Sequence, residues 1–115
     1  MGPDELRRHA LSLPETCEVE TWGRPTFRVC GRIFALFSVD GLRASVKATP
    51  EEQAVLVGTQ PDVFAVAPYV GRFGWVEVTV SAADAGQVCD LVTEAWRRTA
   101  PRRLVAAFDA ARRAD

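Results

Sequence analysis

A single α+β domain, with an antiparallel sheet of about five strands and helices packed mainly on one of its faces, is what this sequence predicts. Three observations carry the prediction. Residues 22–47, WGRPTFRVCGRIFALFSVDGLRASVK, alternate apolar and polar side chains around glycine turns, as adjacent antiparallel strands do. Two later stretches carry helix starts, Thr49-Pro50-Glu51-Glu52 and Ser81 followed by Asp84, and the second leads into a long apolar stripe of helical period. A chain of 115 residues, 48% apolar and 25% charged, has the size and composition of one globular domain, here residues 1–115, that buries a core without staples.

Taken in chain order, residues 4–13 form a helix with Asp4 as its cap, Leu6, Ala10 and Leu13 on one stripe and Pro14 as its stop. Residues 17–22 form a first strand. A three-residue loop then sets Glu20 beside Arg28 and Glu18 beside Cys30, which keeps charges outside and pairs opposite signs; a two-residue Gly23-Arg24 turn would place the glutamates against Val29 and Phe27. In the next strand Phe27 and Val29 face the core while Thr26, Arg28 and Cys30 face away. A Gly31-Arg32 turn brings Val29 opposite Phe34 and Phe27 opposite Leu36. At the following hairpin, a two-residue Asp40-Gly41 turn would set Phe34 against Lys47 and Leu36 against Ser45, with polar groups in the core. A loop of Val39, Asp40 and Gly41 pairs Phe34 with Val46 and Leu36 with Ala44 instead, and this is the expected register.

Thr49 then caps a helix with Pro50 in its first position and Glu52 completing a capping box, and Gly58 ends it. Residues 60–74 are irregular, with 63–66 extended and 69–74, YVGRFG, joining glycines to two aromatics and a cation. Residues 75–80 make the last strand, with Val76, Val78 and Val80 inward and Trp75, Glu77 and Thr79 outward. After Asp84, the spacing of Val88, Leu91, Val92, Ala95, Trp96 and Thr99 marks the main helix packed on the sheet. Pro101 begins a final helix, with Leu104, Ala107, Phe108 and Ala111 on one side and Arg102, Arg103, Arg112 and Arg113 in solvent.

The expected register leaves Thr26, Arg28, Cys30, Ile33, Ala35, Phe37, Arg43, Ser45 and Lys47 on the face away from the helices, with Phe37 beside Arg43. Such a face suits a flat anionic partner, since each cation–π contact contributes roughly 0.5–2 kcal/mol. It equally suits a solvated surface on which Arg and Lys stems cover apolar groups. As a nucleic-acid-binding face, Arg24, Arg28, Arg43 and Lys47 contact phosphates and Phe37 or Trp22 packs on sugar or base. As an apolar patch for a small ligand or a protein partner, Ile33, Ala35 and Phe37 combine with loop contacts from Trp22, Tyr69, Arg72 and Trp75.

With 14 basic against 15 acidic residues, net −1, overall charge does not draw nucleic acid, so a local patch must. Lys47 is the only lysine, and arginine suits planar contacts to phosphate or carboxylate. No nucleophile–base pair, phosphate-cradling glycine loop or metal-ligand cluster stands out, so neither enzyme activity nor a cofactor is expected, and ion pairing accounts for Glu18, Glu20 and Glu77. His9, the single histidine, has no partner at a useful spacing. Cys17, Cys30 and Cys89 are odd in number and lack a CxxC. Free thiols, no apolar N-terminal run and no stretch of ~18 apolar residues lead to the expectation of a cytoplasmic protein without a membrane partner.

WGRPTFRVCGRIFALF, PDVFAVAPYVGRFGWVEVTV and LVTEAWRRTAPRRLVAAFD, with the leading LSLPE, resemble in order the successive blocks of the MmcQ/YjbR family and span most of the chain. The resemblance implies a compact α+β domain whose antiparallel sheet is like the double-wing DNA-binding motif and the CyaY-like arrangement, and a DNA-binding role inferred from that likeness. The matching residues, among them Trp22, Gly23, Pro25, Phe27, Gly31, Phe34, Trp75 and Trp96, are turn and core positions and so speak for the fold. Where relatives often have a His-Tyr or Tyr-Arg-Gly segment, this chain reads Ala67-Pro68-Tyr69-Val70-Gly71-Arg72.

Overall fold

The computed structural model describes residues 1–114; Asp115 lies outside the described residues. In chain order the α-helices and strands are α1 Pro3–Ser12, β1 Thr16–Thr21, β2 Arg24–Val29, β3 Arg32–Phe37, β4 Arg43–Val46, α2 Pro50–Thr59, β5 Phe64–Val66, β6 Val76–Thr79, α3 Ala85–Thr99 and α4 Arg102–Ala114, with short 3-10 turns at Gly71–Phe73 and Val80–Ala82. The strands form one antiparallel sheet of six in the order β1-β2-β3-β4-β6-β5, one strand more than expected because 64–66 pairs with β6 as an edge.

The helices follow their sequence signals closely. Asp84 accepts a hydrogen bond from the Gln87 N–H (2.9 Å) and starts α3, whose buried face includes Val88, Leu91, Val92, Ala95, Trp96 and Thr99 as the spacing predicts, and Thr93 besides. The Trp96 indole donates to the Pro14 carbonyl (3.0 Å) and packs 5.0 Å from the Phe108 ring, which ties α4 to α3. On α1, Leu6 and Ala10 are buried; Gly2 rather than Asp4 is the cap, because Pro3 suits the first helical position. His9 Nε2 donates to Thr93 Oγ1 (2.8 Å), since the Thr93 hydroxyl gives its own proton to the Cys89 carbonyl (2.9 Å). Thr49 caps α2 by accepting from the Glu52 N–H (3.1 Å). The Glu52 carboxylate does not fold back to complete the box but reaches Arg98 (3.4 Å), and Gly58 keeps a helical backbone, so α2 runs on to Thr59.

The hairpins depart from the expected register. Both turns of β1–β2–β3 have glycine second, not first: Trp22-Gly23 (φ 52° and 78°) and Cys30-Gly31 (φ 49° and 82°), the positive pair that a tight type I′ hairpin requires. Glu18 therefore lies opposite Phe27 and Glu20 opposite Pro25, on the helix side of the edge strand, and Glu18 pairs with Arg7 of α1 (2.5 Å) instead of lying beside Cys30. Between β2 and β3 the ladder shifts, from Arg28 opposite Ile33 to Phe27 opposite Ala35, leaving Phe34 as the extra residue of a bulge. Phe34 and Ala35 both turn inward, and beyond them the phase of β3 reverses.

The reversal overturns the expected position of Phe37. Its ring is 4% exposed, set edge-on to Phe27 at 5.7 Å, and Phe37 pairs with Ala44 in the core, while Leu36 emerges outward opposite Ser45. This is the Leu36–Ser45 alignment set aside from the sequence. The objection to it, polar groups in the core, lapses because Leu36 and Ser45 share the outer face. Ala35, expected outside, is buried for the same reason. In β4 and β6 the alternation holds: Ala44, Val46, Val76 and Val78 are buried, and Arg43, Ser45, Glu77 and Thr79 point away from the helices.

Candidate functional site

Side-chain rows on the outer face follow from the register. One runs Val19, Thr26, Leu36, Ser45, Glu77 and Ala65 across all six strands. Leu36 and Ile33, both half-buried, form an apolar floor. Above it stand Trp22, from the β1–β2 turn, and Tyr69, from the loop after β5, which with Val39 wall a depression of about 390 Å³. A second depression of about 250 Å³ adjoins it, lined by Arg43, Asp40, Ser45 and Glu77, and Arg24, Leu36 and Tyr69 belong to both.

The two aromatic walls are held against their own preferences. Trp22 is 95% exposed at φ 52° and Tyr69 is 90% exposed at φ 64°. For bulky residues the left-handed region is an outlier that costs roughly 1–3 kcal/mol, and burial of either ring returns none of it here. The Tyr69 loop is pinned from below. Gln53 of α2 donates from its amide to the carbonyls of Gly71 and Trp75 (2.7 Å each). Gly74 has φ 100°, and a Cβ there would come within 2.7 Å of the Thr49 and Pro50 backbone, so only glycine lets the loop lie flush on the start of α2. On the opposite rim, Asp40 Oδ1 accepts from the Ser38 hydroxyl (2.6 Å) and the Leu42 N–H (3.0 Å); these bonds hold its carboxyl below the usual range and fix the loop that carries Val39.

The cations predicted for the site divide as follows. Arg28 is half-buried, and its guanidinium donates to Thr26 Oγ1 (3.2 Å) and Thr21 Oγ1 (2.9 Å), with no carboxylate at ion-pair distance among the described residues; Glu20, the partner expected from the sequence, faces the other way. Arg24 likewise has no carboxylate partner among the described residues. Arg43 approaches Glu77 loosely at 3.9 Å. Lys47 follows the buried Val46 and is half-buried at the end of β4. Of the loop residues, Tyr69 lines the site, whereas Arg72 stacks on Phe73 (4.7 Å) and Trp75 is half-buried just before β6, both outside the two depressions. Leu36, Val39, Asp40 and Gln53 contribute without having been predicted. Only Leu36 left a trace, as one of five consecutive apolar residues whose phase the bulge decides.

The family model described as YjbR matches residues 11–98, a span that includes every residue lining the two depressions. The crystal structure of the Deinococcus radiodurans protein DR2400, which carries a DUF419 domain, superposes with a TM-score of 0.76 at 26% identity, covering 84% of this chain and 76% of that one. No curated protein matches the chain.

Proposed function

The chain belongs to the YjbR family, and on that premise we propose that it is a DNA-binding module, a binding protein and not a catalyst, that holds nucleic acid on the outer face of its sheet. One observation carries the proposal: Arg24, Arg28, Arg43 and Lys47 leave the sheet on the face away from the helices, where Arg24 and Arg43 line the depressions together with the carboxylates Asp40 and Glu77. A chain of net charge −1 thus concentrates cations locally. Arg24 and Arg28 are four residues apart on β2, about 14 Å, and Arg24 and Arg43 are two strands apart, about 10 Å, so the guanidinium groups can follow a phosphate backbone. Trp22 and Tyr69 take the packing role that the buried Phe37 cannot. The likeness to the double-wing motif belongs to the same proposal. So does a cytoplasmic setting, which the free thiols of Cys17, Cys30 and Cys89 support. Among the described residues no helix is long and apolar enough to cross a membrane.

Four phosphate contacts give a single-strand salt slope of about −3, so affinity is expected to fall roughly 50-fold between 50 and 200 mM salt. Fluorescence anisotropy with labelled duplex and single-stranded DNA tests this. Salt-sensitive binding that is lost in Arg28→Ala plus Arg43→Ala is expected. No binding at protein concentrations on the order of tens of micromolar, or binding indifferent to those substitutions, overturns it. The apolar floor favours a second reading, a pocket for a small flat ligand. A metabolite that raises the melting temperature of a protein deaf to DNA separates the two.

A further inference from the structure

We infer that the depression between Trp22 and Tyr69 receives a single unstacked base, so that the nucleic acid held by this face is single-stranded and is read with little regard to sequence. This inference rests on the proposed nucleic-acid function and narrows it to one ligand class.

Two large rings stand almost fully in solvent, each on a backbone conformation that asparagine or glycine adopts more readily, and neither ring packs into the core. An arrangement that folding does not reward is what a stacking platform looks like before its ligand arrives. The floor agrees: Leu36 and Ile33 offer apolar contact to a ring system, and about 390 Å³ lies near the lower end of the roughly 300–1,000 Å³ of ligand pockets, room for a flat ring but not for a helix edge.

The polar groups around the depression explain why the base edge goes unread. Thr26 donates its hydroxyl proton to the Val19 carbonyl (2.6 Å), and both Thr26 and Thr21 accept from Arg28, so the hydroxyl oxygens of the rim are already engaged within the protein. Arg24, at the boundary with the second depression, is the group left to meet the phosphate of the inserted nucleotide. Arg43 shares that second depression with Asp40 and Glu77, whose repulsion confines the backbone to the line from Arg24 to Arg43. A duplex hides its base faces inside the stack and can offer the rings nothing without extruding a nucleotide.

The test uses the full chain and four labelled probes of equal length: an oligothymidylate, a mixed-sequence single strand, an abasic sugar-phosphate strand and a duplex. Trp22→Asn and Tyr69→Asn remove the rings while suiting the left-handed backbone, so both variants are expected to melt at or above the wild-type temperature. Each is expected to weaken binding of the two base-bearing single strands by about 5- to 100-fold and to leave abasic-strand binding unchanged. Duplex binding as tight as single-strand binding, or single-strand binding unmoved by both variants, overturns the inference; in either case continued sensitivity to Arg28→Ala plus Arg43→Ala leaves the nucleic-acid function standing. Absence of binding to all four probes overturns both.

Discussion

Exchanging the roles of two neighbouring residues separates the observed sheet from the one that simple alternation implies. Phe37 is 4% exposed and packs edge-on to Phe27 at 5.7 Å, whereas Leu36 is half-buried on the outer face. A fully buried phenyl ring removes roughly 150–200 Å² from water, which at ~25 cal/mol per Å² is worth about 4–5 kcal/mol, and the edge-to-face contact adds about 1 kcal/mol. Because the core relaxes only in part, Phe37→Ala is expected to cost about 3–5 kcal/mol. Leu36→Ala removes a side chain whose space water can enter, and about 1 kcal/mol is expected. In urea melts followed by far-ultraviolet circular dichroism, with a slope of roughly 1.5 kcal/mol/M, Phe37→Ala shifts the midpoint down by about 2–3 M and Leu36→Ala by less than about 1 M. Should Phe37→Ala fail to fold, Phe37→Leu, at about 1 kcal/mol, keeps the comparison measurable. A Leu36→Ala variant less stable than its Phe37 counterpart would refute the bulge, return Phe37 to the outer face and dissolve the floor of the site.

Further expectations concern the loop, the histidine and the acidic rim. Gly74→Ala forces a Cβ against the Thr49 and Pro50 backbone at φ 100° and is expected to cost about 2–4 kcal/mol in a thermal or urea melt; wild-type stability in this variant would show that the loop does not lie flush on α2. Burial holds the His9 pKa below its ordinary 6.5. As pH falls below that value the unfolded chain takes up a proton that the folded one resists, so stability is full above pH 6.5 and is lost as pH falls towards the folded pKa. His9→Gln should flatten the wild-type loss of melting temperature between about pH 7.5 and 5.5, and identical profiles would count against a buried neutral imidazole. Glu77→Gln removes a carboxylate from beside Arg43 and is expected to tighten single-strand binding about 2- to 5-fold at low salt, with the gain fading at high salt; weaker binding would mean that Glu77 contacts the ligand directly.

Much of the fold was legible in the sequence, and the reason is local. Thr49, Asp84 and Pro50 act through backbone groups within a turn of themselves, and the α3 stripe of six apolar or small residues has one face to choose from. Strand register is different. Ile33, Phe34, Ala35, Leu36 and Phe37 are consecutive apolar residues and carry no phase of their own, so a single bulge residue, Phe34, decides which of them face the helices. Nothing in Trp22 or Cys30 announces a left-handed residue ahead of a glycine, which is why the sequence points to a three-residue loop at the first turn and to Gly31-Arg32, one residue late, at the second. The candidate site was legible in part: Arg24, Arg43, Trp22 and Tyr69 line it, Arg28 touches it only through the Thr21 and Thr26 hydroxyls, and Phe37, Lys47, Arg72 and Trp75 lie outside it. Its underpinning through the Gln53 amide joins residues distant in the chain and has no local signature.

The most direct measurement is a two-dimensional ¹H–¹⁵N correlation spectrum of the labelled protein titrated with a short single-stranded oligonucleotide at low salt. The largest shifts are expected at Thr21, Arg24, Leu36, Ser45 and Tyr69 and at the Trp22 indole, all on the helix-free face, while α3 and α4 amides stay put. Shifts concentrated at Arg102, Arg103, Arg112 and Arg113 of α4, or a spectrum that does not move at saturating oligonucleotide, would contradict the assignment of binding to the sheet.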